Sequence, residues 1–399
     1  MSTSEVMRDL VIRFGNEYGP EEEAAVLEVL RRGAPTCDTA CKKFEEEFAA
    51  YCGTRYARTV SNGTAALFLA LQAAGVGKGS RVVTTPLTWI ATAAAAVTLG
   101  AKVDFVDIDP VTYNMDPNLL EAKVRRRTAA VLPVHLYGQC CDMDPINSLA
   151  ERHGFTVIED ACHAVGATYK GRKAGSLGSV GCFSFHEQKN ISTLGEGGMV
   201  VTNDPGLYER VSLYRSHCTR VYGKTLKYCN IDESRFPMGK RFWFQDFDDC
   251  GYNFRMTDVQ AAVGSVQLSK LDSFNGRRID NARYLEEKLA GVAGLTLPRA
   301  MEGNHHVFHL YPVLIQEEGF GMGKDDFVDA MFHKHGIRVG THYTPIHLSS
   351  AFKKRGFRKG QFPVAESTAE RLVTLPINPR QSREALDHLV GCIADLAAR

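Results

Sequence analysis

Between about residues 20 and 270 the hydrophobic positions alternate between two periods. "PEEEAAVLEVLRRG" (20–33) carries a helical apolar stripe, with acids at its start, bases at its end and Gly33 as a stop. "SNGTAALFLALQAAGVGKGS" (61–80) reads as a loop that opens directly into an apolar helix. "RVVTTP" predicts a short strand and "TWIATAAAAVTLG" a helix of small residues. The same rhythm continues through "AKVDFVDID" (strand), "DPNLLEAKV" (helix), "AAVLPVHLYG" (strand), "PINSLAERHG" (helix) and "FTVIEDAC" (strand). These strands are β-branched and continuously apolar, as strands covered on both faces are. The pattern predicts an α/β fold around a mostly parallel, twisted sheet. Ligands bind such sheets beyond the C-terminal strand ends, where the "ED" of "FTVIED" and the "HEQK" after "GCFSF" fall.

From about residue 260 a long helical stretch, 257–291, leads into "HHVFHLYPVLI", "KDDFVDAMFHKHG", "IRVGTHY" and a last helix. A chain of 399 residues exceeds what one core usually supports. Two domains are therefore expected: a large one over 1–265 and a smaller α+β one over 266–399. Segment 221–247 has no clean period and reads as a long loop within the first.

Composition narrows the class. Hydrophobic residues are 44% and charged residues 23%, which excludes disorder. The net charge is +1, from 47 basic and 46 acidic residues, and gives no basic excess for nucleic acid or an anionic membrane. Eleven cysteines are scattered without a C-x-x-C pair, so reduced thiols in a cytoplasmic protein are expected, with neither a disulfide framework nor a metal site. The N-terminus lacks a continuous apolar h-region, and no apolar run approaches membrane-spanning length.

The candidate chemistry begins at Gly63 and Thr64, where the loop turns into a helix. Free amides and the helix dipole there suit a phosphate, or the segment is an ordinary capped helix start. Asp160 ends a buried strand, where a carboxylate needs a cation or serves as an N-cap. Lys189, in "CFSFHEQKNISTLGEGG" (182–198), follows an apolar strand and precedes a glycine-rich turn. Alone it reads as a surface lysine; in that setting its amine could bond covalently to an aldehyde cofactor. A phosphate cradle, a buried acid and a strand-end lysine are together what pyridoxal 5'-phosphate (PLP) needs. Trp89 is a candidate to stack on its ring, or a core residue. Ser184, five residues before Lys189, could hydrogen-bond the phosphate.

The ordered set of motifs "SNGTAAL", "TTPLTWIATAAAAVTLGAKVDFVDID", "PVHLYGQ", "VIEDACHAVGATYKGRKAGSLGSVGCFSFHEQKN", "GEGGMVVTND", "GYNFRMTDVQAAVGSVQL" and "THYTPIH" covers nearly the whole chain. It resembles the DegT/DnrJ/EryC1/StrS family of sugar aminotransferases, within the aspartate-aminotransferase fold (PLP fold type I). The resemblance implies that Lys189 binds PLP and shuttles the proton, and that Asp160 pairs with the ring nitrogen. Gly63, Thr64 and Ser184 would hold the phosphate, and His163 would lie near the ring's 3'-oxygen. Asn253 would reach the phosphate from the neighbouring subunit of a homodimer. His342, Tyr343 and His347 match a motif near the sugar site, although the histidines could equally be core residues. The implied reaction moves an amino group from glutamate or glutamine to a keto-sugar, nucleotide-linked as is commonest in the family.

Three departures from the family pattern stand out. "KNISTLGEGG" carries one residue more than usual between Lys189 and Glu196; Glu187 and Gln188 are polar where small residues or proline are frequent; and segment 221–247 is longer than usual. That segment mixes Lys224, Lys240 and Arg241 with Tyr228, Phe242, Trp243 and Phe244, which suggests a cover over the acceptor pocket or a solvated excursion. Free or phosphorylated keto-sugars and keto-cyclitols remain alternative acceptors. A PLP-dependent sugar dehydratase would carry histidine in place of Lys189, and His186 does not occupy that position. A non-catalytic protein would have no reason to keep lysine, acid and cradle together.

Overall fold

The computed structural model describes Leu10 and residues 17–33, 36–221, 245–247 and 249–397. Helix α1 (Pro20–Arg32) begins with proline and ends at Gly33, whose φ of 70° is the left-handed stop that glycine tolerates. It is followed by α2 (Thr39–Cys52), α3 (Gly63–Ala73), α4 (Ala91–Thr98), α5 (Met143–His153), α6 (Pro205–Arg215) and the 32-residue α7 (Asp258–Leu289). The C-terminal third adds α8 (Lys324–His333) and α9 (Arg383–Ala397). "DPNLLEAKV" shortens to one helical turn, Pro117–Leu120, and a 3-10 turn, because Val124 returns to extended backbone.

Strands β1 (Tyr56–Val60), β2 (Arg81–Thr84), β3 (Lys102–Phe105), β4 (Thr128–Val131), β5 (Thr156–Asp160), β6 (Val180–Ser184) and β7 (Gly198–Thr202) form the central sheet. Their order is β1-β7-β6-β5-β4-β2-β3. β3, β2, β4, β5 and β6 are parallel, and β7 runs antiparallel to both β6 and β1. The C-terminal ends of β1, β5 and β6 and the start of β7 therefore share one edge, with Val60, Gly198 and Ser184 in register.

Alternation along the strands divides the core between the two faces of the sheet. Val83, Val131, Val157, Phe183 and Val201 pack with Phe44 and Phe48 of α2. Val82, Ala130, Ile158, Cys182 and Val200 pack with the apolar side of α3. A third cluster joins Leu285 and Leu289 of α7 to Phe327, Leu386 and Ile393, around the antiparallel sheet of β8 (Leu295–Thr296), β9 (Tyr311–Ile315) and β10 (Leu372–Leu375). The expected division at 265/266 falls inside α7, which runs unbroken through it. "IRVGTHY" forms no strand; Gly340 alone bridges to Thr374.

Of segment 221–247, only Val221 and Gln245–Phe247 are described, as the ends of a two-stranded antiparallel pair. The suggested cover over an acceptor pocket lies outside the described residues. Among the described residues no helix is long and apolar enough to cross a membrane.

Candidate active site

The shared strand edge is closed by backbone packing. At the start of α3, Asn62 caps the helix, its Oδ1 accepting from the Ala65 amide at 2.8 Å. The amides of Gly63 and Thr64 directly follow Asn62 and lie in the turn where helical amides lack intrahelical partners. Gly63 stands so close to β6 that a Cβ there would meet Ser184 Cβ at 2.7 Å and Cys162 Sγ at 3.2 Å. Of the glycines that follow Lys189 in the turn, 195, 197 and 198, only Gly195 takes a left-handed angle, at φ 102°. Gly198 is required by contact instead, since a Cβ would meet the Asn62 carbonyl at 2.6 Å.

Asp160 ends β5 in register with Cys182 and is 5% exposed. Thr92 of α4 donates Oγ1–H to its Oδ2 at 2.7 Å, and the Cys162 amide donates to Oδ1 at 3.2 Å. Lys189 follows β6 in a turn closed by its amide donating to the His186 carbonyl at 2.8 Å. Burial lowers its pKa below the ordinary lysine value. The charges of Asp160 and Glu196 oppose that shift, whereas burial keeps the neighbouring Cys162 thiol protonated and uncharged at neutral pH. The turn after Lys189 accommodates "KNISTLGEGG" by placing Leu194 at φ 61° beside Gly195, with Leu194 exposed.

His163 is buried, and desolvation, reinforced by the charge of Lys189, holds its pKa well below the usual value. The Tyr137 amide donates to Nδ1 at 3.4 Å, which leaves the proton on Nε2, 3.2 Å from the Tyr343 hydroxyl. His309 lies against His163, with ring centroids 4.3 Å apart, and its Nδ1 faces Asn190 Oδ1 at 3.2 Å. Burial also raises the Tyr343 phenol.

The structure brings Gly63, Thr64, Asp160, His163, Ser184 and Lys189 to one end of the sheet. Trp89 is 60% exposed with its centroid 6.0 Å from that of Tyr343, so core packing is the reading it discards. His342 joins through Tyr137, whose hydroxyl donates to the His342 carbonyl, and its Nδ1 meets Thr374 Oγ1 at 2.7 Å. His347 is different: it is fully buried against Phe362, with Nε2 2.9 Å from Glu366 Oε1, and does not line this region. Asn253 is exposed and forms an isolated bridge to Ser216; the carbonyl of the next residue, Phe254, accepts the Ser61 amide at 2.8 Å, just before the α3 cradle.

Sequence reasoning missed Thr92, Asn190 and His309. Thr92 left no signal, since a threonine in the first turn of a small-residue helix is unremarked.

A lysine, a buried carboxylate and a helix-start cradle at the strand ends of an α/β sheet define a PLP-type transaminase site. The DegT/DnrJ/EryC1/StrS aminotransferase family model matches residues 16–394, and the chain belongs to that family of PLP-dependent sugar aminotransferases. It is 36% identical over 384 residues to the dTDP-3-amino-3,4,6-trideoxy-alpha-D-glucose transaminase of Streptomyces venezuelae, covering 96% of this chain and 94% of that one. It is 38% identical over 355 residues to the GDP-perosamine synthase of Caulobacter vibrioides, covering 88% of each. The crystal structure of S. venezuelae DesV superposes with a TM-score of 0.85 at 36% identity, over 95% of both chains.

The residues present fit the cofactor. The first-turn amides of α3, brought against the Ser184 side chain by the close approach that only Gly63 allows, suit a phosphate; the Asp160 carboxylate suits a protonated ring nitrogen.

Proposed function

We propose that this protein transfers an amino group from glutamate or glutamine to a nucleotide-linked keto-sugar. The observation that carries the reading is the convergence of Lys189, Asp160 and the Gly63–Ser184 cradle on one sheet edge. The names of two relatives, a dTDP-sugar transaminase and GDP-perosamine synthase, support the acceptor class.

Bound PLP supplies an electron-accepting ring and a carbonyl carbon that exchanges amines. The chain's own groups do the rest. Gly63, Thr64 and Ser184 would bind the phosphate through amides and a hydroxyl. Asp160, oriented by Thr92 and the Cys162 amide, would keep the ring nitrogen protonated. Lys189, its pKa lowered by burial, would hold the cofactor's carbonyl carbon and move a proton through Nζ. Neutral His163 and Trp89 would contact the ring, and His342 and Tyr343 would border the sugar.

Asn253, exposed beside the cradle, completes the phosphate site of a second copy in a homodimer. In this reading residues 1–265 form the cofactor-binding part and 266–399 the smaller part, in the cytoplasm.

The test is the absorbance of the purified protein before and after excess glutamate, then after a nucleotide-linked keto-sugar. A visible band that collapses with glutamate and returns with the keto-sugar is expected. A protein that stays colourless with added PLP would sink the reading.

A further inference from the structure

Outside the strand-edge site, the entry to α2 holds two thiols against a buried guanidinium. Cys37 and Cys41 stand four residues apart, on either side of the N-cap Asp38. Asp258, at the start of α7, fixes this turn, its carboxylate accepting the amides of Asp38, Ala40 and Cys41 at 2.7, 3.3 and 3.1 Å. Arg215, the last residue of α6, reaches in and is 7% exposed. Its Nη1 lies 3.4 Å from Cys37 Sγ, 3.2 Å from Glu45 Oε1 and 2.9 Å from the Thr59 carbonyl. Glu45 divides its charge, since its Oε2 also meets Arg58 at 2.6 Å. The buried Nε of Arg215 has no hydrogen-bond partner. A guanidinium so placed is better satisfied by an anionic sulfur than by a neutral thiol.

The two thiols are unequal. Cys37 is partly exposed and Cys41 is buried. A hydrogen bond from Cys41 and the charge of Arg215 hold Cys37 below the ordinary thiol pKa, against its burial and the charge of Glu45. The same contact raises Cys41, as do its own burial and the negative charges of Cys37 and Asp258. The proton therefore stays on Cys41, whose Sγ lies 3.5 Å from the Met256 carbonyl. A reachable thiolate beside a protected thiol is the arrangement in which one sulfur reacts and the second resolves the product.

We propose that Cys37 is a site of oxidation by hydrogen peroxide, with Cys41 as the thiol that closes the product to a disulfide. The Cys37 thiolate attacks one peroxide oxygen and the O–O bond breaks. Sulfur gains a hydroxyl and is oxidised to sulfenic acid, while the departing hydroxide takes a proton from solvent and leaves as water. The Cys41 sulfur then attacks that of Cys37. The S–O bond breaks, hydroxide leaves with the Cys41 proton as a second water, and an S–S bond forms. Neither step uses a group of the strand-edge site, so the assignment stands apart from the transaminase reading.

The test follows the thiols of the whole protein by mass spectrometry. Iodoacetamide at neutral pH labels Cys37 ahead of Cys250, although Cys250 is exposed and exposure alone would reverse that order. Cys37 labelling changes less than about twofold between about pH 8 and pH 7, where an ordinary thiol loses about eightfold. Arg215→Gln slows it about tenfold at neutral pH, as a return toward the ordinary thiol range requires. Arg215→Lys, which keeps the charge, slows it less and covers the case in which the glutamine variant does not fold. With excess hydrogen peroxide, the tryptic peptide 33–42, which carries both thiols, loses two hydrogens and regains them with dithiothreitol. In Cys41→Ser the reaction stops at a sulfenic acid that dimedone traps. Labelling of Cys250 ahead of Cys37 overturns the proposal, and so does a peptide 33–42 left unchanged by excess peroxide. A wild-type peptide that gains oxygen without losing hydrogens overturns the role of Cys41.

Discussion

Glu159 and Asp160 are neighbours in β5, yet strand alternation sends them to opposite faces of the sheet. Glu159 faces the α2 side, where it is fully buried and saturated. His135 Nε2 lies 2.9 Å from Oε2, and the amides of Gly175, Leu177 and Gly178 donate at 2.7, 2.7 and 2.6 Å. Asp160 faces the α3 side with two donors, Thr92 and the Cys162 amide, and with its charge acting on Lys189. The first carboxylate closes a loop and has no bonding capacity left over. The second is oriented but unsaturated, which is how a group that binds a ligand differs from one that binds the fold.

Substitutions can break this contrast. The largest effect is expected on the open face: Lys189→Ala should lower transamination about 10²–10⁴-fold, the contribution of a positioned acid–base group, while thermal unfolding changes little. Glu159→Ala should do the reverse, costing about 3–5 kcal/mol of stability by stranding its partners, as read by denaturant unfolding. Asp160→Asn should reduce the donor half-reaction about 10²–10³-fold with near-normal unfolding. If Glu159→Ala lost activity with stability intact, or Asp160→Asn unfolded the protein, the two faces would not divide the work this way. Gly63→Ala gives the smallest change, about 1–3 kcal/mol of overpacking against Ser184. It should appear first as weaker PLP retention on dialysis.

Much of the open face was legible in the sequence because it is made by local signals. A strand ending in Asp160, a loop-to-helix turn at Gly63 and a lysine ahead of a glycine run each have a one-dimensional pattern. Helices α1, α3 and α5 and strands β2 to β5 were readable for the same reason. The contributions of Thr92, Asn190 and His309 depend on which distant segments meet, and periodicity carries only a trace of that. The antiparallel β7 was also hidden: "GEGGMVV" looks like a loop entering any strand, and only contact with Asn62 explains Gly198. His347 shows the opposite limit, since its place in a motif did not reveal that it is folded against Glu366.

Helix α7 has a further consequence, for how the molecule comes apart. Asn275 accepts from Asn190 Nδ2 at 2.7 Å and donates to the Val165 carbonyl at 3.0 Å. One turn on, Arg278 and then Asn281 hold the carbonyls of Ile377 and Asn378 at 3.1 and 3.0 Å. A single rigid element thus grips both the residue after Lys189 and the turn that follows β10. Amides at those two places should exchange with solvent as one cooperative unit, because neither can open while the helix keeps its hold on the other.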